Sequence, residues 1–259
     1  MKILAWFAPA ALLAGGLVVL AGAFGGRAGA QEPSPAPLDP VRSGLLLFND
    51  PAVSGSGKVS CASCHPRGGH TDNITYVGLE VVKDGTPEGR STPLLWGARD
   101  TAPYSWAGGK TLKENIKGII VNRMKGKEPT DEQLDLLIAY LHSLKFAPNP
   151  NLNPDGSPSA AAPEAARRGH KVFLKASCNT CHEPPVFSKA DNEDIGSGGS
   201  FSVPSLRGLA TTAPYFHDGR FPTLRALIPA KLKYLQDMGT TEKISDKEIE
   251  DLLAYLNLL

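Results

Sequence analysis

Cys61-Ala62-Ser63-Cys64-His65 and Cys178-Asn179-Thr180-Cys181-His182 are the two stretches whose reading decides the fold of this 259-residue chain. Each is a complete Cys-x-x-Cys-His, the spacing of covalent haem attachment: each cysteine sulfur joins one haem vinyl group and the adjacent histidine binds iron from one face. A bare Cys-x-x-Cys would also suit a thioredoxin-like redox pair or half of a zinc site. The histidine after both pairs, in a chain with only four cysteines, points instead to two c-type haems. A four-ligand zinc site shared by the two motifs is the alternative. With every cysteine used by haem, none is left for a disulfide.

Working outward from the motifs, the chain repeats itself. Helices are expected before each motif, over 41–49 and 165–175. After each motif, Thr92-Pro93-Leu94-Leu95-Trp96-Gly97 is matched by Val203-Pro204-Ser205-Leu206-Arg207-Gly208. Thr101-Ala102-Pro103-Tyr104-Ser105-Trp106-Ala107-Gly108 is matched by Thr212-Ala213-Pro214-Tyr215-Phe216-His217-Asp218-Gly219. Thr111-Leu112 and Thr223-Leu224 each start a helix with a threonine N-cap. Thr130-Asp131-Glu132-Gln133 and Ser245-Asp246-Lys247-Glu248 read as capping boxes opening amphipathic helices, with Tyr140 and Tyr255 in the same register. The expectation is a mostly α fold of two c-type cytochrome domains, residues 38–147 and 164–259, with one covalent haem each. Residues 148–163 (PNPNLNPDGSPSAAAP) lack apolar periodicity and read as the linker. No paired apolar strands are evident.

Attachment of c-type haem takes place outside the bacterial cytoplasm, and residues 1–30 read as an export signal: Lys2, an apolar run over 3–24, and Ala28-Gly29-Ala30 as an A-x-A-like cleavage site. The run is long enough to make an uncleaved membrane anchor the alternative. Either way the expected location is periplasmic, with membrane contact only if this segment is retained. Losing Lys2 and Arg27 shifts formal charge from +1 to −1. Haem propionates would make the protein more acidic still, which argues against a nucleic-acid partner.

The sixth iron position decides between a closed electron-transfer haem and an open reactive one. Besides the initiator, the only methionines are Met124 and Met238. They fall at matching places, 17 residues before Leu141 and 18 before Leu256. The expected iron ligand pairs are therefore His65/Met124 and His182/Met238, although methionine is also a common core filler. Competing ligands are Lys231 and Tyr234 on the preceding helix. His70, five residues after His65, reads as a surface or propionate contact, and His142 and His170 as solvated helix-end residues. The loop after Met124, with Gly126 and several lysines, reads as able to move.

Residues 203–224, with the weaker match at 91–112, resemble the bacterial di-haem cytochrome c peroxidase and MauG family. The resemblance implies a tryptophan between the haems, at Trp106, which either mediates electrons or simply packs the interface. It makes His217 a propionate or interface group and Arg207 a propionate partner, unless Arg207 is merely solvated. It also brings departures. Ile116 stands where the peroxidases have an assisting glutamine, and Glu114 is a solvated helix residue. Lys83 falls near the place of their removable histidine. Ser91 replaces the calcium-binding asparagine, so calcium is doubtful although Thr212 and Pro214 remain. The resulting expectation is a periplasmic electron-transfer cytochrome serving a small cytochrome or copper protein, or docked in a larger redox complex. A peroxidase or MauG-like oxidoreductase is the rival.

Overall fold

Apolar residues at helical spacing, and one glycine at a crossing point, build the same frame twice. The computed structural model describes residues 39–237 and 242–259. Its helices in chain order are α1 (Pro40–Asn49), α2 (Cys61–Cys64), α3 (Pro66–Gly69), α4 (Leu112–Gly118), α5 (Asp131–Ser143), α6 (Glu164–Lys175), α7 (Leu224–Asp237) and α8 (Asp246–Leu256). In the first half α1 crosses α5 at Gly44, where a Cβ would collide with the Leu136 carbonyl and meet Tyr140 Cβ at 2.8 Å. In the second half α6 crosses α8 at Gly169, where a Cβ would collide with the Asp251 carbonyl and meet Tyr255 Cβ at 2.9 Å.

Next to each crossing lies an aromatic pair, Phe48–Tyr140 at 5.0 Å and Phe173–Tyr255 at 5.5 Å between ring centroids. All four rings are buried. Such a pair adds ~0.5–1.5 kcal/mol beyond the area it buries. The capping boxes form at Thr130/Gln133 and Ser245/Glu248, and a third forms at Thr111/Glu114. In each, the two side chains reciprocally satisfy two otherwise orphaned backbone donors. Glu114 is thus a helix cap rather than simply a solvated residue.

Short strands do occur, against the sequence expectation. β1 (Thr75–Val77) pairs antiparallel with β2 (Glu80–Val81) and β3 (Arg90–Ser91), and β4 (Asn192–Asp194) pairs with β5 (Ser200–Ser202). At two or three residues each they are too short and too polar to show a two-residue hydrophobic period.

The halves are hydrogen-bonded into one compact unit, Leu38–Leu259. The Ser91 N–H donates to the His217 carbonyl at 2.7 Å and the Gly85 N–H to that of Asp218 at 2.8 Å. The Ser202 N–H donates to the Trp106 carbonyl at 3.0 Å, and the Asn192 amide to that of Ala107 at 2.7 Å. The segment 148–163 folds onto the second half. The Asn149 amide donates to the Leu258 carbonyl at 2.7 Å, and the Tyr255 hydroxyl to that of Gly156 at 2.9 Å. Its polar composition hid these contacts because they are made by backbone carbonyls. No described helix is long and apolar enough to cross a membrane. The segment 1–30 lies outside the described residues.

Two ion pairs tie α6 to α8. Arg168 clasps Asp251 at 2.7 and 2.8 Å, and Lys175 reaches Glu248 at 2.7 Å. The Lys175 bond, with capping bonds from Ser245, holds the Glu248 carboxyl down at about 2, and Arg168 holds Asp251 below the usual carboxylate range. A folded-state pKa below the unfolded value gives stability that is complete above the ordinary carboxylate pKa of about 4 and lost as pH falls toward the folded value. Circular dichroism of the holoprotein between about pH 5 and about pH 2 should therefore show acid unfolding. Glu248→Gln, which cannot titrate, should weaken that acid dependence. An unaltered acid profile in the variant would remove Glu248 from it.

Candidate haem sites and their interface

The two motifs fold locally as they must for haem. Cys61 and Cys64 lie on the single turn α2, with His65 as its C-cap, while Cys178–Thr180 form a 3₁₀ turn followed by Cys181 and His182. None of the four cysteines is in a disulfide. Burial pushes the Cys61 thiol up to about 11 and the Cys178 thiol up to about 12. Redox Cys-x-x-Cys pairs need a thiol lowered in pKa, so these neutral thiols do not suit a thioredoxin-like role. The shared zinc site fails too: among the described residues no three His, Cys, Asp or Glu side chains converge as a metal site.

Both histidines are half-buried, and both are held as neutral rings. Desolvation lowers His65 to about 4 and lowers His182 as well. His182 Nδ1 faces the Phe187 carbonyl at 3.1 Å, so it donates its proton there and leaves Nε2 with a free lone pair. A backbone carbonyl holding the far ring nitrogen in this way orients an iron-ligating imidazole and raises its basicity. His65 Nδ1 is fully buried without a hydrogen-bond partner; the Pro93 carbonyl raises its pKa from nearby but falls short of bonding geometry. A neutral imidazole next to two free thiols fits the haem requirement at both places.

Met124 is buried, only 4 % exposed, at the end of a π-helical turn, Ile119–Arg123. Such turns often mark functional sites. Its carbonyl accepts the Gly55 N–H at 3.0 Å. Cβ atoms at Gly55 and Gly126 would collide with the Lys125 and Val53 carbonyls respectively. Gly126 is therefore a close-packing glycine that wedges the Met124 turn in place, which corrects the expectation of a movable loop. Met238 lies outside the described residues.

Trp106, half-buried, donates its indole N–H to the Ser91 carbonyl at 2.8 Å and meets His217 edge-on at 6.3 Å across the interface. His217, 4 % exposed, stacks on Phe201 at 3.9 Å. His217 is thus an interface group. Ser91, at the position of the family's calcium-binding asparagine, gives its carbonyl to the tryptophan N–H. Arg207 is not simply solvated. Its Nε donates to the carbonyl of Leu259 at 3.2 Å, and its guanidinium lies 5.0 Å from the Phe146 ring centroid.

Further corrections concern histidines. His70 is buried, 6 % exposed, with Nδ1 at 2.9 Å from the Thr71 carbonyl and Nε2 at 3.0 Å from Thr211 Oγ1 in the other half. Both ring nitrogens are taken, so it is an interface link rather than a surface group or ligand. His170 packs on Tyr255 at 5.0 Å instead of being solvated. Ile116 is half-buried against the first core, and Lys83 is exposed. Sequence reasoning missed Tyr76, whose hydroxyl donates to Asp72 at 2.6 Å and lies beside Cys64. It also missed Asp218, fully buried and clasped by Arg220 at the interface.

Residues 40–146 match the family model for di-haem cytochrome c peroxidase, and residues 166–259 match cytochrome c. The chain carries a di-haem cytochrome c peroxidase and MauG family domain followed by a cytochrome c domain. Those two domains imply two covalently bound c-type haems, and Cys61/Cys64 and Cys178/Cys181, none of them in a disulfide, are the residues that would hold them. The chain is 27 % identical to hydrazine synthase subunit gamma of Kuenenia stuttgartiensis, over 87 % of this chain and 79 % of that protein. It is 28 % identical to methylamine utilization protein MauG of Methylorubrum extorquens, over 88 % and 80 %. Among solved structures, Kuenenia stuttgartiensis hydrazine synthase superposes with TM-score 0.70 at 25 % identity, covering 87 % of this chain and 89 % of that one. A MauG-like protein associated with microbial copper homeostasis gives 0.66 at 22 %, covering 88 % and 90 %, a likeness of fold.

Proposed function

We propose that this chain is an exported, periplasmic electron-transfer protein in which single electrons pass between the two haems along the Trp106–His217 contact, with Met124 closing the first iron. The observation that carries the reading is the interface itself. Trp106 of the first half meets His217 of the second at 6.3 Å. One residue, Ser91, fixes both: its carbonyl accepts the indole N–H and its own N–H donates to the His217 carbonyl. The haems supply one-electron redox chemistry. The chain's part is to hold two neutral imidazoles as ligands, to exclude water around buried Met124, and to lock the aromatic bridge. The partner is a small cytochrome or copper protein, or a larger redox complex; the relative named as a hydrazine synthase subunit supports the latter.

A peroxide-using oxidoreductase is the second reading, favoured by relatives named cytochrome c peroxidase, one of them from Nitrosomonas europaea. Rapid mixing decides. Reduced small cytochrome should equilibrate quickly with both haems, while steady-state peroxide reduction stays well below the roughly 10 s⁻¹ usual for enzymes. Turnover at or above that rate overturns the electron-transfer reading. Trp106→Leu should slow equilibration between the haems without altering either haem's absorption spectrum. An unchanged rate would take the indole out of the path.

A further inference from the structure

We propose that the amine of Lys231 is the sixth ligand of the second haem's iron. The inference stands on haem attachment at Cys178 and Cys181, not on the direction of electron flow or its partner.

Lys231 sits on the wrong face of its helix for a surface lysine. Leu224, Leu227, Ile228 and Leu232 form the stripe of α7 packed into the second core, and Lys231 falls at the i+7 position of that stripe. The side chain is half-buried, with Nζ 4.6 Å from the Tyr234 ring centroid and 5.8 Å from that of Phe216. Its one hydrogen bond given by the structure runs to the Ile195 carbonyl at 2.7 Å. The charged and titratable groups around it are Asp194, Cys181 and His182, the last two belonging to the haem motif itself. Lys189 faces the same Cys181 from the neighbouring segment. At the matched position of the first half stands Ile119, eight residues after Thr111 as Lys231 is eight after Thr223.

A half-buried lysine next to a haem can neutralise a propionate or bind iron. The surroundings favour iron. Two aromatic rings and the apolar stripe lower the amine's pKa to about 8 by desolvation, despite help from Cys181 and Asp194. Thioether formation removes the Cys181 thiol and with it part of that help. On ligation the ammonium gives one proton to solvent and its lone pair to iron, and the amine keeps two N–H groups. One of them can retain the Ile195 carbonyl, which fixes the direction of the lone pair as a hydrogen bond on a metal-ligating group does. Tyr234 packs against the backbone at Gly196, where a Cβ would meet its ring at 2.5–2.8 Å, and so acts as a wall of the site.

The test uses the full-chain ferric holoprotein, read by EPR and near-infrared magnetic circular dichroism, which separate amine from thioether ligation. The wild type should show one amine-ligated haem. Lys231→Arg, which keeps charge and donors but offers no lone pair, should convert roughly half of the low-spin signal to high-spin, since a sixth strong-field ligand is lost from one of two haems. In Lys231→Ala, added methylamine should restore it. Met238→Ala should leave the spectra unchanged. The proposal is overturned if the wild type shows no amine-type band, if Lys231→Arg keeps its low-spin signal, or if Met238→Ala is the variant that loses it. The wild-type spectrum decides alone if the variants do not fold, and failure of the electron-transfer reading would leave all these spectra as they are.

Discussion

Met124→Ala is expected to open the first haem's iron and to raise the protein's reactivity with peroxide above that of the wild type. The argument runs from backbone to iron. The π turn 119–123 delivers Met124 into the core, and the Gly55 and Gly126 contacts prevent the following loop from carrying it away. Removing the thioether leaves no second methionine in the first half, and His70 has both ring nitrogens committed. A vacant iron then becomes available to peroxide. Rates should still fall short of a dedicated peroxidase, because a positioned acid–base group contributes about 10²–10⁴-fold and Ile116 supplies none. Truncating a buried methionine also costs about 2–5 kcal/mol, so thermal unfolding must be followed in parallel. Ferric EPR and peroxide turnover are the measurements. A variant that loses stability yet keeps the wild-type low-spin spectrum would show that Met124 merely fills the core.

The repeat was legible in sequence because each of its parts has a local cause. The Cys-x-x-Cys-His spacing, the threonine and serine caps with Gln133 or Glu248 three residues on, and the apolar period of the closing helices each act within a few residues. Trp106 is picked out by the family resemblance and Met124 by its matched place with Met238. What stayed hidden depended on the other half of the chain or on backbone atoms. His70 reads as a surface histidine until Thr211, far along the sequence, supplies its partner. Gly126 reads as a hinge until the Val53 carbonyl is seen pressed against it. The strands are two or three residues long and held by backbone bonds, which no side-chain period announces. Lys231 is the intermediate case. Its place on the apolar stripe of α7 is visible in the sequence, while the Phe216 and Tyr234 rings that enclose it are brought there only by the fold.

The likeness of the halves also separates what the frame requires from what each haem adds. The helix crossings are the same in both, whereas Ile119 and Lys231 differ at one matched position, eight residues after Thr111 and Thr223. A change at a crossing should therefore act on stability first and on spectra only as the domain opens. Gly169→Ala is expected to be among the most damaging single-methyl additions in the chain. The new Cβ would enter the Asp251 carbonyl and press on Tyr255 Cβ, and neither neighbour is free to yield. The carbonyl belongs to the residue whose carboxylate Arg168 clasps, and Tyr255 is fully buried with its hydroxyl fixed to Gly156. Overpacking of this kind costs about 1–3 kcal/mol, a large part of the ~5–15 kcal/mol by which domains are stable. Gly118→Ala is the control. Gly118 has ordinary helical backbone, and a Cβ there would approach nothing closer than 3.9 Å. Its substitution should be neutral or stabilise by up to about 1 kcal/mol through the unfolded chain's lost freedom. Urea unfolding of the two holoproteins, followed by far-ultraviolet circular dichroism and haem absorption together, measures both. Equal midpoints for Gly169→Ala and Gly118→Ala would mean that α6 and α8 can slide apart without cost, and that the crossing does not hold the second haem's frame.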